Sequence, residues 1–332
     1  MKAAVLEGVG QPVRLQDVSM PIAGKGEAVV RLRAAALNHR DVWIQKGQYA
    51  GLKFPIVLGS DGAGAVESVG DGVDKMWLGK NVVVNPSVGW GESEKTQAKA
   101  FKILGLPDDG TFAELVKIPA ANLAEKPEHL SFVEAAALPL AGLTAYRALF
   151  SRAKLQAGET VLVTGIGGGV ALFGLQFALA QGATVFVTSG SDEKLSKAKS
   201  LGAAGGVNYK QPDWAKELQE QAGGFDVILD SAGGEGFGSL INLAAAGGRI
   251  VFVGATAGNP PNLDMRKIFW KQLSLLGSTM GSPNDFNAMM TFVSEKKIMP
   301  VVDAVLPLTD AEAALRRMEN AAQFGKIVLS IS

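Results

Sequence analysis

Four glycines fall within five residues in Gly165-Ile-Gly-Gly-Gly-Val-Ala171, directly after the branched run Val161-Leu-Val-Thr164 and directly before a helical stretch. Glycine lets a backbone approach an anion closely, and a helix N-terminus offers it free N–H groups and the positive end of a dipole. Strand, glycine turn and helix in that order make a cradle for a dinucleotide pyrophosphate, with Gly167, Gly168, Gly169 and Val170 as its candidate contacts. A register ending on Val170 would put a branched side chain where helix and strand must lie close. The register with Gly168 and Ala171 puts a small one there and is preferred. About twenty residues on, a fold of this kind specific for NAD carries Asp or Glu for the ribose diol. The segment here is Thr188-Ser-Gly-Ser-Asp-Glu-Lys194, and its expected acidic position is Ser189 or Gly190. Asp192 and Glu193 come later, as first-turn residues of the next helix, where they suit its dipole. Small hydroxyl side chains at Ser189 and Ser191, with Gly190 and Lys194, would accept a 2′-phosphate, which favours NADP(H). The competing view of Lys194 is a solvated helix lysine.

What the chain lacks narrows the chemistry further. It has no cysteine and two histidines, His39 and His129, which excludes disulfides, thiolate nucleophiles and cysteine-ligated metal. Lys plus Arg (32) equal Asp plus Glu (32), so no net field draws a polyanion, and nucleic acid is not an expected partner. Met1-Lys-Ala-Ala-Val reads as a strand rather than a leader peptide. Thr160 to Ser191 has no charged side chain, but seven glycines interrupt it, which fits a strand, a glycine turn and a helix rather than a membrane span. A cytoplasmic protein is expected.

The elements that must position the glycine turn follow from the hydrophobic pattern. Short apolar runs, Thr160–Thr164, Thr184–Thr188, Gly206–Tyr209, Phe225–Asp230, Arg249–Gly254 and Ser274–Ser278, read as strands. Helical stretches around Val170–Gln181, Lys194–Leu201, Asp213–Ala222 and Gly236–Ala246 separate the first five. This alternation predicts a doubly wound parallel α/β sheet. The first 120 residues are strand-rich, with Ala28–Arg33, Gly64–Val69 and Asn81–Asn85 bounded by Gly, Pro or Asp, and without a regular helical pattern. Ser131–Phe150 reads as helix, with Pro139 ending or kinking a turn. After a helix at Asp285–Lys296, Val301–Ser332 reads as two strands flanking the amphipathic Asp310–Ala322, a tail expected to return to the N-terminal part.

A series of segments in fixed order resembles the medium-chain dehydrogenase/reductase superfamily: Ala36-Leu-Asn-His-Arg-Asp-Val42, Gly47-Gln-Tyr49, Phe54-Pro-Ile-Val-Leu-Gly-Ser-Asp-Gly-Ala-Gly64, Asp109-Gly-Thr-Phe-Ala-Glu114 and Ala135-Ala-Ala-Leu-Pro-Leu-Ala-Gly-Leu-Thr-Ala-Tyr146. The resemblance implies a β-rich GroES-like catalytic domain, residues 1–122 and 297–332, around a Rossmann cofactor domain, residues 123–296, with substrate in the cleft between them. The positions that ligate catalytic zinc in metal-dependent relatives look like Asn38, Ser60 and Leu140, none a good zinc ligand, and the loop corresponding to the structural-zinc lobe has no cysteine. No metal is therefore expected, in the manner of the quinone oxidoreductase-like branch. Such relatives reduce quinones, or the activated double bonds of enals, enones and enoyl thioesters, by hydride transfer from NADPH.

By the same resemblance Asn38 and Tyr49 line the active site, and Tyr49 matches a proton-donating tyrosine. The alternatives are a loop-packing role for Tyr49 and a turn-holding role for Asn38. Thr144, Tyr209, Phe252, Val253, Gly254, Met280, Phe324, Gly325 and Lys326 are implied as further cofactor contacts, although quinone reductases with a basic side chain near the Met280 position differ from this chain. The expected substrate is a small hydrophobic electrophile. A homodimer is expected, joined through the sheet edge Leu273–Thr279, because an apolar edge of this kind needs cover. The alternative function is a non-catalytic NADPH-binding sensor or structural protein of the same fold.

Overall fold

The computed structural model describes residues 1–332 and divides into two compact units, Met1–Leu143 with Gly281–Ser332, and Thr144–Met280. Both boundaries differ from those expected, 122/123 and 296/297. The alanine-rich helix Phe132–Ala137 packs on the strands Glu27–Ala36, Asp61–Val69 and Lys326–Ser330, which draws it into the first unit. The helix Pro283–Lys296 follows it there, its Met289 sulfur lying against Gly142.

In the second unit six strands run in the order Gly205–Asn208, Thr184–Ser189, Thr160–Val163, Phe225–Asp230, Ala244–Phe252 and Ser274–Gly277, every neighbouring pair parallel. This is the doubly wound order in which the chain reverses direction beside its first strand. Strand interiors are continuously apolar because both faces are covered: Leu162, Phe186, Phe225, Ile228 and Ile250 are buried in one cluster. The helix expected over Gly236–Ala246 is shorter, Phe237–Leu243, and Ala244 already opens the next strand by pairing with Phe225. A further short helix, Met265–Trp270, was not expected.

The first unit carries a seven-stranded sheet centred on Glu27–Ala36, which pairs antiparallel with Asp61–Val69, Leu115–Pro119 and Lys326–Ser330. The tail therefore returns to the N-terminal sheet as expected, and Val302–Pro307 adds a parallel strand outside it. Leu6, Leu32, Ile44, Phe112 and Ile118 fill the core beneath. One helix departs from the strand-only expectation. His39–Gln45 forms over two turns, too short to show a period in sequence, and Asp41 secures its start by accepting from the Asn38 backbone N–H at 2.8 Å. Pro139 divides the expected Ser131–Phe150 helix into Phe132–Ala137 and Pro139–Tyr146, and a π-helical stretch, Arg147–Arg152, completes it.

Candidate functional site

In the first unit a buried polar network gathers around Asn38 and Tyr49. Strand pairing makes the approach, because Leu37 N–H donates to Ile327 O at 3.0 Å and so sets Lys326 beside Asn38. The Lys326 ammonium donates to Asn38 Oδ1 at 2.8 Å and to Asp61 Oδ2 at 2.9 Å. Asn38 Nδ2 donates to the same Asp61 oxygen at 2.9 Å, and the Leu140 backbone N–H donates to Asp61 Oδ1 at 2.8 Å. All three side chains are buried, Asp61 and Lys326 almost completely. Burying an ion pair is favourable only when further hydrogen bonds satisfy it, and here each charge has them. The side chain of Asn38 is bound by this pair, and Asp41 secures the turn by accepting from the Asn38 N–H.

Arg40 links the other half. Its guanidinium donates to Ser60 Oγ and to Leu104 O, both at 2.7 Å, and lies 5.1 Å from the centre of the Tyr49 ring. Arg40 Nε also donates to the Tyr49 hydroxyl oxygen at 3.5 Å. Tyr49 is half-buried and packs on the core. Asp41, fully buried between these groups, has its carboxyl pushed up to about 6, chiefly by burial, against the opposing pull of Arg40 and of the Asn38 N–H.

The three positions that the family resemblance relates to catalytic zinc, Asn38, Ser60 and Leu140, are an amide clamped between charges, a hydroxyl bonded to Arg40 and Leu104 O, and an aliphatic side chain. This donor set does not fit a zinc ion, and no group of three His, Cys, Asp or Glu side chains converges elsewhere. His39 is exposed and stands beside Trp43, ring centres 6.1 Å apart.

The second unit builds the glycine turn. The helix Gly169–Ala180 starts at Gly168 without any side-chain cap, so its first N–H groups stay available for an anion. Ala171 is buried and Val170 half-buried. One turn on, a Cβ at Gly174 would meet Leu229 Cδ2 at 2.6 Å, so the helix also lies close on the strand at a glycine that the sequence reading passed over. Lys194 is half-buried. Its side chain arches over Gly167, where a Cβ would meet Lys194 Cδ at 2.9 Å and Nζ at 3.3 Å, and Gly167 itself has φ 132°.

Over Gly190 lie the Tyr209 hydroxyl, 2.8 Å from a notional Cβ, and Lys210 Cε at 2.9 Å. Lys210 was missed in sequence, because it stands after the third strand and carries no signature of its own. Asp192 is turned to the Asn208 amide at 2.9 Å, and Ser191 caps the helix Asp192–Ser200. Ser189 is buried, with its hydroxyl oxygen accepting from the Ser191 N–H at 3.2 Å, which leaves it poorly placed for a phosphate. The turn as a whole fits a dinucleotide pyrophosphate.

The remaining expected contacts divide by unit. Thr144 Oγ1 lies 3.8 Å from the sulfur of Met280, whose backbone is left-handed at φ 43°. Phe252 is exposed at its strand end, with Val253 and Gly254 half-buried after it. Phe324 is buried in the first unit, and Gly325 (φ 126°) passes so close to Val301 O that a Cβ would stand 2.5 Å from it. Lys326 turns its ammonium inward to Asp61 and Asn38, so its side chain belongs to the buried network.

Comparison with known proteins agrees with this architecture. Residues 24–128 match the alcohol dehydrogenase GroES-like domain and residues 169–295 the zinc-binding dehydrogenase domain. The chain is 36% identical to a zinc-type alcohol dehydrogenase-like protein, YogA, of Leptosphaeria maculans, covering 96% of this chain and 95% of that one. It is 30% identical to an acryloyl-coenzyme A reductase of Metallosphaera sedula, over 99% of this chain and 100% of the relative. A crystal structure of an NAD-dependent alcohol dehydrogenase superposes with a TM-score of 0.94 at 42% identity, covering 100% of both chains. With both domain types matched and such relatives aligned end to end, the chain belongs to the medium-chain dehydrogenase/reductase superfamily and is an oxidoreductase.

Proposed function

We propose that the protein is a zinc-independent, NADPH-dependent oxidoreductase that reduces activated C=C bonds of enals, enones or enoyl thioesters, and quinones. The observation that carries this reading is the clamped Asn38 amide, with Ser60 and Leu140, at the positions where a Lewis acid would otherwise be held. The metal-dependent relatives use that Lewis acid to stabilise an alkoxide at neutral pH during alcohol oxidation, and Asn38, Ser60 and Leu140 cannot supply it. Reduction of a conjugated double bond does not need one, because the developing charge spreads onto an enolate oxygen that hydrogen-bond donors can stabilise. The relatives named acryloyl-coenzyme A reductases support this substrate class. The missing ribose acid, with Lys194 and Lys210 over the glycines, supports NADPH, although several relatives are named NAD-dependent alcohol dehydrogenases.

A bound nicotinamide supplies the hydride to the electron-poor carbon of the substrate. The second N–H of Asn38, which has no partner in the chain, would donate to the substrate oxygen. Tyr49 would then give its phenolic proton to the neighbouring carbon. Arg40 suits this role, because it donates to the Tyr49 oxygen and so leaves the phenolic hydrogen free, and its charge stabilises the phenolate left behind.

The test follows NADPH absorbance with a panel of enals and quinones, in wild type and in Tyr49→Phe. Enal reduction should lose about 10²-fold or more in kcat, the scale of a positioned general acid, while NADPH affinity holds. Quinone reduction should lose much less, because solvent protonates a reduced quinone oxygen readily. Equal losses in both, with lower thermal stability, would make Tyr49 a packing residue. Tight NADPH binding without turnover on any substrate would instead favour a non-catalytic NADPH-binding role.

A further inference from the structure

The two faces of a carboxamide have nearly the same shape, so an asparagine near a substrate has two orientations of opposite chemistry, and only its partners choose between them. At Asn38 they choose without ambiguity. Oδ1 faces an ammonium, which can only donate, and Nδ2 faces a carboxylate oxygen, which accepts when ionised. A flipped amide would set N–H against the Lys326 N–H groups and carbonyl oxygen against Asp61, losing two charge-assisted bonds at once. Asp61 is itself fixed from outside this pair, by the Leu140 N–H on one carboxylate oxygen and by Thr111 Oγ1 donating to its backbone carbonyl at 2.7 Å. Neither charge is needed to cap the helix or to hold Tyr49, tasks that fall to Asp41 and Arg40.

We infer that Lys326 and Asp61 are positioning residues, a buried charge pair that locks the Asn38 carboxamide with one N–H directed away from Asp61 and available to the substrate's developing oxyanion. The inference rests on the role proposed for Asn38 and deepens it. It also explains why a lysine is buried here: the fixed cation orients a neutral donor at a position where zinc-dependent relatives hold a metal.

The experiment compares wild type, Asn38→Ala, the charge-neutral double variant Lys326→Met/Asp61→Asn, and the triple variant combining them, with trans-2-hexenal and NADPH. Asn38→Ala should lower kcat by about 10²-fold, the effect of removing one oxyanion donor. The double variant should lower kcat by about 10-fold, with KM and NADPH affinity within about 2-fold of wild type, because the amide remains but is no longer held. In the Asn38→Ala background the same two changes should cost nothing further, since no amide is left to orient. A structural role would cost the same in both backgrounds and would overturn the inference, as would a double variant with wild-type kcat. Should the double variant not fold, Lys326→Gln replaces it in the same comparison and with the same expectations. An Asn38→Ala protein with unchanged kcat would overturn both this inference and the role given to Asn38, whereas loss in Asn38→Ala alone would leave that role standing and remove only the positioning pair.

Discussion

Replacing Lys194 and Lys210 by alanine, singly and together, separates the two cofactors most sharply. Lys194 Nζ stands 3.3 Å from a notional Cβ on Gly167, and Lys210 Cε 2.9 Å from one on Gly190, so the two lysines overhang the turn and the end of the second strand. Charge-assisted hydrogen bonds contribute about 1.5–3 kcal/mol net, and partial exposure of both lysines lowers this to about 1–2 kcal/mol each. Each substitution should therefore weaken NADPH by about 5–30-fold, and the pair together by about 100-fold if the two contacts are independent. NADH, without the 2′-phosphate, should change by no more than about 2-fold. Fluorescence titration of both cofactors at low and high salt makes the measurement. The NADPH advantage should shrink as salt rises, because the screening length falls from about 10 Å at 0.1 M to about 3 Å at 1 M. Equal losses for NADH and NADPH in Lys194→Ala would place that ammonium on the pyrophosphate common to both. Wild-type affinity for NADH equal to that for NADPH would refute the cofactor assignment itself.

Three other outcomes are expected. Elemental analysis of the folded, active protein should find no stoichiometric zinc, and about one zinc per chain lost together with activity on chelation would sink the zinc-free reading. The Asp41 carboxyl, raised to about 6 mainly by burial, binds its proton more readily folded than unfolded. Its stabilising contribution is therefore complete below about pH 4 and is lost as pH rises through about 6, a change of about 3 kcal/mol. The stability of Asp41→Asn relative to wild type should accordingly rise between pH 4 and 7, and a flat or falling difference would contradict the assignment. The strand Ser274–Gly277 closes the second unit's sheet with only one neighbour, and the helix Met265–Trp270 exposes Trp270 at 83% and Phe269 at 66%. We propose that a second copy of the chain covers this edge; sedimentation should find a wild-type dimer and a Trp270→Glu/Leu276→Lys monomer, and a wild-type monomer would remove the proposal.

The cofactor unit was legible because its strands are continuously apolar and its helices recur between them, a signal that needs no long-range information. Where that signal was ambiguous, pairing decided: Ala244-Ala-Ala has helical composition, yet becomes strand because Phe225–Asp230 offers it a partner. The His39–Gln45 helix was invisible as a period but was marked by Asn38 and Asp41 at capping distance, a signal that would have found it. The candidate site was harder to read. Lysine is ordinarily exposed, so nothing local says that Lys326 turns inward; that depends on a strand partner nearly 300 residues away in sequence. Lys210 was hidden for the same reason, since its nearness to Gly190 is a matter of the neighbouring strand and not of spacing.

The discontinuous first unit also sets an order of events at the ribosome. Residues 144–280 are contiguous, and their sheet can close once Gly277 has emerged. The strand Glu27–Ala36 must wait for Lys326–Ser330, and the Asp61 carboxylate for its counterion 265 residues downstream. At about 5–20 residues per second, that interval is on the order of 10–50 s. Through it the nascent chain holds an open sheet edge and an unneutralised acid in its future core, and only over the last stretch from Gly277 to Lys326, on the order of 2–10 s, is the 144–280 unit already complete. An interrupted chain would therefore carry a finished parallel-sheet unit attached to a first unit still lacking its closing strand and the lysine that neutralises Asp61.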